Sequence, residues 1–176
     1  MSTSEDVVVR PARVDDVDAV CAFGEAHVPP HYTPLIGADA ARQQVTDWWR
    51  PEQIRAAVTA GQLLVAVAHD RIVGVAQHAR EGVDVVIYKL YVDPSRRGQG
   101  LGPRLIEAVV ASLPPDVARL LIEHFAGNAR AGAFYEREGF AVERVDRSAT
   151  GRPELDVVWR ARVVPGRAGA GSVADV

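Results

Sequence analysis

Three glycines at alternate positions, Gly98, Gly100 and Gly102, follow Arg96 and Arg97 and open a run with apolar residues at helical spacing, Leu101, Leu105, Ile106, Val109 and Val110. Glycine leaves its backbone amide uncovered, and the first amides of a helix have no partner inside it and carry the positive end of its dipole. Such a segment can cradle a phosphate or pyrophosphate, and the two arginines add charge beside it. A surface loop with solvated arginines is the plain alternative, and the neighbouring residues narrow the choice. A kinase-type phosphate loop ends in Lys followed by Ser or Thr, whereas Gly102 precedes Pro103 and Arg104. A dinucleotide fold sets GxGxxG directly after a strand. Here VDPSRR intervenes and the spacing is GxGxG, although Glu123 stands about where a ribose-binding acid would.

Other chemistries are excluded or weakened by residue type. His27 and His31 are four apart, but Pro29 and Pro30 between them rule out the helical HExxH arrangement of a zinc site, and no metal is expected. Cys21 falls on an apolar stripe and reads as a small core residue. A single cysteine cannot form an internal disulfide, which fits a reducing compartment, and the cytoplasm is the expected location. There is no GxSxG nucleophile elbow. The net charge of −3, with 20 basic and 23 acidic residues evenly scattered, offers no basic stripe, so nucleic acid is not an expected partner. No segment approaches the ~18 apolar residues of a spanning helix, and MSTSEDVVVR has the features of neither leader nor anchor, so no membrane association is expected.

The elements that must position the glycine run can be read from periodicity. Val7 to Arg10 is a short strand, and Asp15 and Asp16 favour a helix start before Val17, Val20, Cys21 and Gly24, which recur at helical spacing. Pro29, Pro30 and Pro34 predict a loop over VPPHYTPLIG, then helical sequence from about Ala38, interrupted at Pro51 and resuming through Ala60. LLVAVA, IVGVAQHA and DVVIYKLYV form a predicted antiparallel meander with turns at His69-Asp70-Arg71 and Arg80-Glu81-Gly82. Asp93-Pro94 ends the third strand before the glycine run opens its helix, which Pro114-Pro115 stop. ARLLIEHF follows as a buried strand, then a helix over about Ala129 to Glu138, and strands near Phe140 to Val145 and Glu154 to Val163. One parallel crossover inside a mixed sheet results, an α/β (α+β) arrangement in a single domain over residues 1–163. The Gly- and Ala-rich residues 164–176 read as a flexible tail.

YVDPSRRGQGLG resembles the acyl-CoA-binding signature of the GNAT superfamily of N-acetyltransferases, an arginine followed by glycines three and five positions on, here Arg97, Gly100 and Gly102. NARAGAFYEREGF is similar to that family's second motif, an asparagine, a helix bearing Phe-Tyr, then Gly-Phe. The resemblance runs from Val7 to Val163, and it is looser early on, where Arg13 stands in place of a frequent threonine. It implies the GNAT fold, a mixed, mostly antiparallel sheet of six to seven strands flanked by about four helices. It also implies acetyl transfer from acetyl-CoA directly to a primary amine, on a small molecule or a protein. A homodimer is common in the family. A non-catalytic acyl-CoA-binding regulator, or transfer of a longer acyl group, is the alternative on the same fold.

For individual residues, the resemblance implies that the amides of Arg97, Gly98, Gln99, Gly100, Leu101 and Gly102 hold the pyrophosphate. The backbone of Leu90, Tyr91 and Val92 would pair with the pantetheine arm where two strands diverge, and Asn128 would bond the arm or simply cap a helix. Tyr135 would sit near the sulfur as the general acid for the departing thiolate, its plain alternative being a core tyrosine beside Phe134. Glu123, Asp84, His78 or a water chain could take the proton that an ammonium acceptor must lose. Tyr32, His31, Trp48 and Trp49 would line the acceptor cleft, unless the tryptophans only pack the second helix onto the sheet.

Overall fold

The computed structural model describes residues 7–166. Seven strands form one sheet: β1 (Val8–Pro11), β2 (Leu63–Ala68), β3 (Arg71–Glu81), β4 (Asp84–Val92), β5 (Arg119–Phe125), β6 (Ala141–Asp146) and β7 (Val157–Val163). Their spatial order is β1-β2-β3-β4-β5-β7-β6, antiparallel throughout except for the parallel pair β4 and β5. The β2–β3 hairpin closes through His69 and Asp70, both with positive φ (47° and 58°), as a tight two-residue turn between right-twisted strands requires.

Among the described residues there are five α-helices, α1 (Val17–Ile36), α2 (Ala38–Trp48), α3 (Pro51–Thr59), α4 (Leu101–Ser112) and α5 (Ala129–Arg137), and α2 packs on α1. Leu105, Ile106 and Val109 of α4 and Tyr135 of α5 pack on one face against Ile87, Leu120 and Ile122. Val17, Val20 and Phe23 of α1, with Ile54 of α3, cover the other face over Val65 and Val75. Cys21 is buried in this second layer, as its place on the apolar stripe predicts. Among the described residues no helix is long and apolar enough to cross a membrane.

The loop predicted over VPPHYTPLIG is not formed, because α1 continues through Pro29, Pro30 and Pro34 to Ile36. Each proline removes an i→i−4 bond and crowds a carbonyl one turn back. Tertiary anchoring outweighs that local loss. Val28 is 1% exposed ahead of the pair, the Tyr32 hydroxyl meets that of Tyr91 at 3.0 Å, and Thr33 Oγ1 donates to the Pro29 carbonyl at 2.7 Å. At the start of α1, Asp16 accepts from the Arg13 amide at 2.6 Å and from both terminal nitrogens of Arg10. Val164, where the tail was expected to begin, is 2% exposed, and its amide bonds the Ala118 carbonyl at 2.8 Å. Residues 167–176 of the expected tail lie outside the described residues.

A register shift between β3 and β4 shapes the centre of the sheet. On β3, Gln77 faces Lys89 and the next residue, His78, faces Ile87, so Tyr88 is an extra residue, a bulge in β4. Bulges bend the strand that carries them. The parallel ladder between β4 and β5 accordingly spans only Val85–Ile87 against Leu120–Ile122. Beyond it, Tyr88 to Val92 and Glu123 to Phe125 face each other with no ladder between them, and the sheet is open at its centre.

Candidate active site

The glycine run reaches the top of this opening. Asp93 accepts from the amide and hydroxyl of Ser95, forming a short turn that carries the chain off β4 and back into α4. Gly98 and Gly100 have φ of 78° and 75°, a region that excludes ordinary side chains, and Gly100 is the N-cap of α4. Gly102 is small for a different reason: a Cβ there would lie 2.8 Å from Cζ of Phe134, so the start of α4 is pressed against α5. The two sequence motifs thus meet edge to edge.

A cleft of about 580 Å3 runs from that loop through the opening between β4 and β5. Arg96, Arg97 and Arg130 border its outer end, and Tyr135, Ile87 and Ile122 its inner end. Tyr88, Tyr32, Glu123 and Phe125 also line it, so the cleft communicates with the sheet face covered by α1. Burial, with the nearby charge of Arg130 adding to it, disfavours the charged form of the Arg97 guanidinium. Two crowded cations at an exposed helix start favour an anion between them.

Three phenols converge at the inner end. The Tyr32 and Tyr91 hydroxyls are hydrogen-bonded, and both interact electrostatically with Tyr135. Tyr135 is 8% exposed, with its ring against Phe134, Phe140 and His124. Burial holds all three phenols above their ordinary ionisation range. Each therefore stays a proton donor at neutral pH. His124 has both nitrogens engaged, Nδ1 with the Phe125 carbonyl at 2.8 Å and Nε2 accepting from Arg160 Nε at 3.1 Å.

Asn128 performs the capping role, its Oδ1 accepting from the Ala131 amide at 3.2 Å, while Nδ2 reaches His31 Nε2 at 3.1 Å. Leu90, Tyr91, Val92, Arg97, Gly98, Gly100, Leu101, Gly102, Glu123, Asn128 and Tyr135 all border the cleft, whereas Gln99 is exposed outside it. Glu123 points to the α1 side, in register with Trp159 and near Arg144, Asp146 and Glu81, and burial is the main cause of a carboxyl pKa above the usual range.

The other two candidate bases are elsewhere. Asp84 is tied to Arg119 by bonds of 3.0 and 2.9 Å at the far end of β4, and His78 is buried against Ser112, Oγ to Nε2 3.3 Å. Neither tryptophan lines the cleft. Trp49 is 4% exposed and fills the notch at Gly24, where a Cβ would lie 2.3 Å from its ring, and Trp48 is on the surface. His31 and Tyr32 do line it, because α1 keeps its helical course past the prolines. Arg130, His124 and Phe125 are cleft residues that sequence reasoning did not assign. Arg130 could have been found inside the motif NARAG, but nothing in the sequence marks the other two. Among the described residues no group of three or more His, Cys, Asp or Glu is placed to hold a metal ion.

Residues 59–142 match the family model described as acetyltransferase (GNAT) domain. Among solved structures, the fold is similar to the PaiA N-acetyltransferase of Thermoplasma acidophilum in complex with coenzyme A, with a TM-score of 0.78 and 15% identity over 90% of this chain and 99% of that one. It is similar also to a probable acetyltransferase of Staphylococcus epidermidis, TM-score 0.71 and 12% identity, over 90% and 99% of the two chains. The ribosomal-protein-S18-alanine N-acetyltransferase of Escherichia coli aligns at TM-score 0.62 and 22% identity, over 97% and 100%. At these identities the likeness is one of fold.

Proposed function

We propose, for a chain that carries a GNAT acetyltransferase domain on the corresponding fold, that it transfers the acetyl group of acetyl-CoA directly to a primary amine of a small molecule or protein. The observation that carries this reading is the single cleft joining a cationic helix start to a buried phenol through the open centre of the sheet. The amides of Arg97 to Gly102 and the side chains of Arg96, Arg97 and Arg130 suit a pyrophosphate. The unladdered edges of β4 at Leu90 to Val92 and of β5 suit an extended arm with amides of its own, which takes the place of a missing strand. An arm so held delivers its thioester beside Tyr135. The coenzyme A in the Thermoplasma structure supports the same cosubstrate here.

The acceptor enters from the α1 face, where Glu123 offers a carboxylate to an incoming ammonium. The neutral amine attacks the thioester carbon, the C–N bond forms as the C–S bond breaks, and Tyr135 supplies the proton to the departing sulfur. Positioning of the two substrates and polarisation of the carbonyl supply the rate without an acyl-enzyme.

The test is thiol release from acetyl-CoA and from longer acyl-CoAs with a panel of small amines and peptide N-termini. Amine-dependent release with acetyl-CoA is the expected result. Tight CoA binding with no acceptor-dependent release from any donor would instead favour an acyl-CoA-binding regulator.

A further inference from the structure

We propose that His31 is the group that takes the proton from the acceptor ammonium, a role that rests on the acetyl-transfer reading. Asn128 sets the tautomer of His31. Its Oδ1 is committed to the Ala131 amide, so the end of the side chain that meets His31 Nε2 is the NH2 group. An amide NH2 only donates. Nε2 must therefore carry the lone pair and Nδ1 the proton, and α5 fixes this tautomer through its own N-cap.

The groups around the ring agree with a neutral imidazole. From α1 itself, the Tyr32 ring lies edge-on at 4.7 Å, and from β4 the Tyr91 ring at 6.2 Å, both protonated phenols. Burial holds His31 below the ordinary histidine range, and two cations, Arg97 from the glycine loop and Arg130 from α5, add to it. The Glu123 carboxylate lines the same cleft and acts on Tyr32. The same two arginines are those suited to the pyrophosphate. A bound diphosphate offsets their charge, so an imidazolium becomes easier to form only when the acyl donor is in place.

Other candidate bases are bonded elsewhere or lie outside the cleft, except Glu123, which lines it beside Arg144, Asp146 and Glu81 and serves in this reading as the carboxylate that receives the ammonium. His124 has both nitrogens bonded, Lys89 donates to Gln77 at 2.6 Å, and Asp84 and His78 lie outside the cleft. Only a weak donor, the Asn128 amide, engages Nε2, and an ammonium displaces it readily. In the balanced step, R–NH3+ gives one proton to Nε2 and the resulting amine forms the C–N bond. The thiolate takes the Tyr135 proton, and the proton left on the new amide nitrogen restores the phenol. His31 then releases its proton to solvent, so each turnover yields amide, free thiol and one proton.

The test pairs kinetics with a readout independent of turnover. His31→Gln keeps an acceptor for Asn128 Nδ2 but cannot bind a proton. It should lower kcat at least ~100-fold, the low end of what a general base contributes, abolish the acid limb of the kcat–pH profile, and leave acetyl-CoA affinity within about threefold. An unchanged kcat or an unchanged acid limb overturns the proposal. In parallel, imidazole 15N shifts of the CoA-bound wild-type protein should show a neutral His31 protonated on Nδ1 at pH 7.5. A proton on Nε2 overturns the proposal whatever the activity. A wild-type protein that shows the expected tautomer yet releases no thiol with any amine overturns the transfer reading and the role built on it.

Discussion

At the scale of single residues, the proposed general acid is Tyr135, buried at the inner end of the cleft. A phenol in water ionises near pH ~10, and burial raises that of Tyr135 further. It is therefore a full proton donor across the physiological range, while its reactivity toward a thiolate depends on how closely the sulfur is held. Tyr135→Phe removes only the hydroxyl and leaves the ring contacts with Phe134, Phe140 and His124. It should lower kcat by roughly 100-fold or more while leaving the acetyl-CoA Kd nearly unchanged. Single-turnover kinetics at saturating acetyl-CoA measure this, and a turnover equal to wild type would remove Tyr135 from the mechanism. The place of Tyr135 in a Phe-Tyr motif was readable from the sequence. Its companions Tyr32 and Tyr91 were not readable as a hydroxyl pair, because 59 positions separate them and only the fold closes that distance.

At the scale of elements, the site depends on two irregularities and one close contact. The bulge at Tyr88 bends β4 away from β5, and α1 carries His31 and Tyr32 over the gap this leaves. The close contact is Gly102 against Phe134, which holds the glycine-rich start of α4 against the helix that bears Tyr135. Gly102→Ala should destabilise the protein by ~1–3 kcal/mol, as overpacking does, and weaken acetyl-CoA binding by shifting the α4 amides. Phe134→Leu in the same chain should recover part of both losses. Thermal denaturation and calorimetric titration with CoA check the pair. A Gly102→Ala protein as stable and as tight-binding as wild type would show that α4 and α5 are not coupled there. The glycines were visible in the sequence as a phosphate loop, but the reason for the third one was not. Its partner lies on an element more than thirty positions away, and pattern reading does not see such a contact.

At the scale of the whole molecule, one buried cation sets a pH dependence of folding. Lys89, on β4 just past the bulge, is 8% exposed, faces Trp49 with Nζ 5.3 Å from the ring, and donates to the Gln77 side-chain oxygen at 2.6 Å rather than to a carboxylate. Burial brings its pKa down to about 8, against ~10.4 for an ordinary lysine. Between those two values the unfolded chain holds a proton that the folded chain has released, so stability rises with pH across the window and is lowest, for this group, below pH 8. The rise is at most ~3 kcal/mol. Above pH ~10 the buried phenols reverse the trend, because the unfolded chain ionises its tyrosines first. Lys89→Met should raise the urea midpoint at pH 7 and flatten the climb between pH 8 and 10, and urea titrations at three pH values would measure both. A slope that persists in the variant would move the effect to another group. What the sequence determined by itself is the order of strands and helices, the glycine run at the start of α4 and the second motif, because hydrophobic period, glycine and proline placement, and helix-start chemistry act over a few neighbouring residues. It misread α1, where three prolines argue locally for a loop and long-range contacts hold a helix. Tertiary structure alone decided that the sheet opens at its centre, that His31 and Tyr32 close over the opening, and that Asn128 orients His31. Those outcomes depend on a register shift between paired strands and on contacts between distant elements, where packing outweighs local propensity.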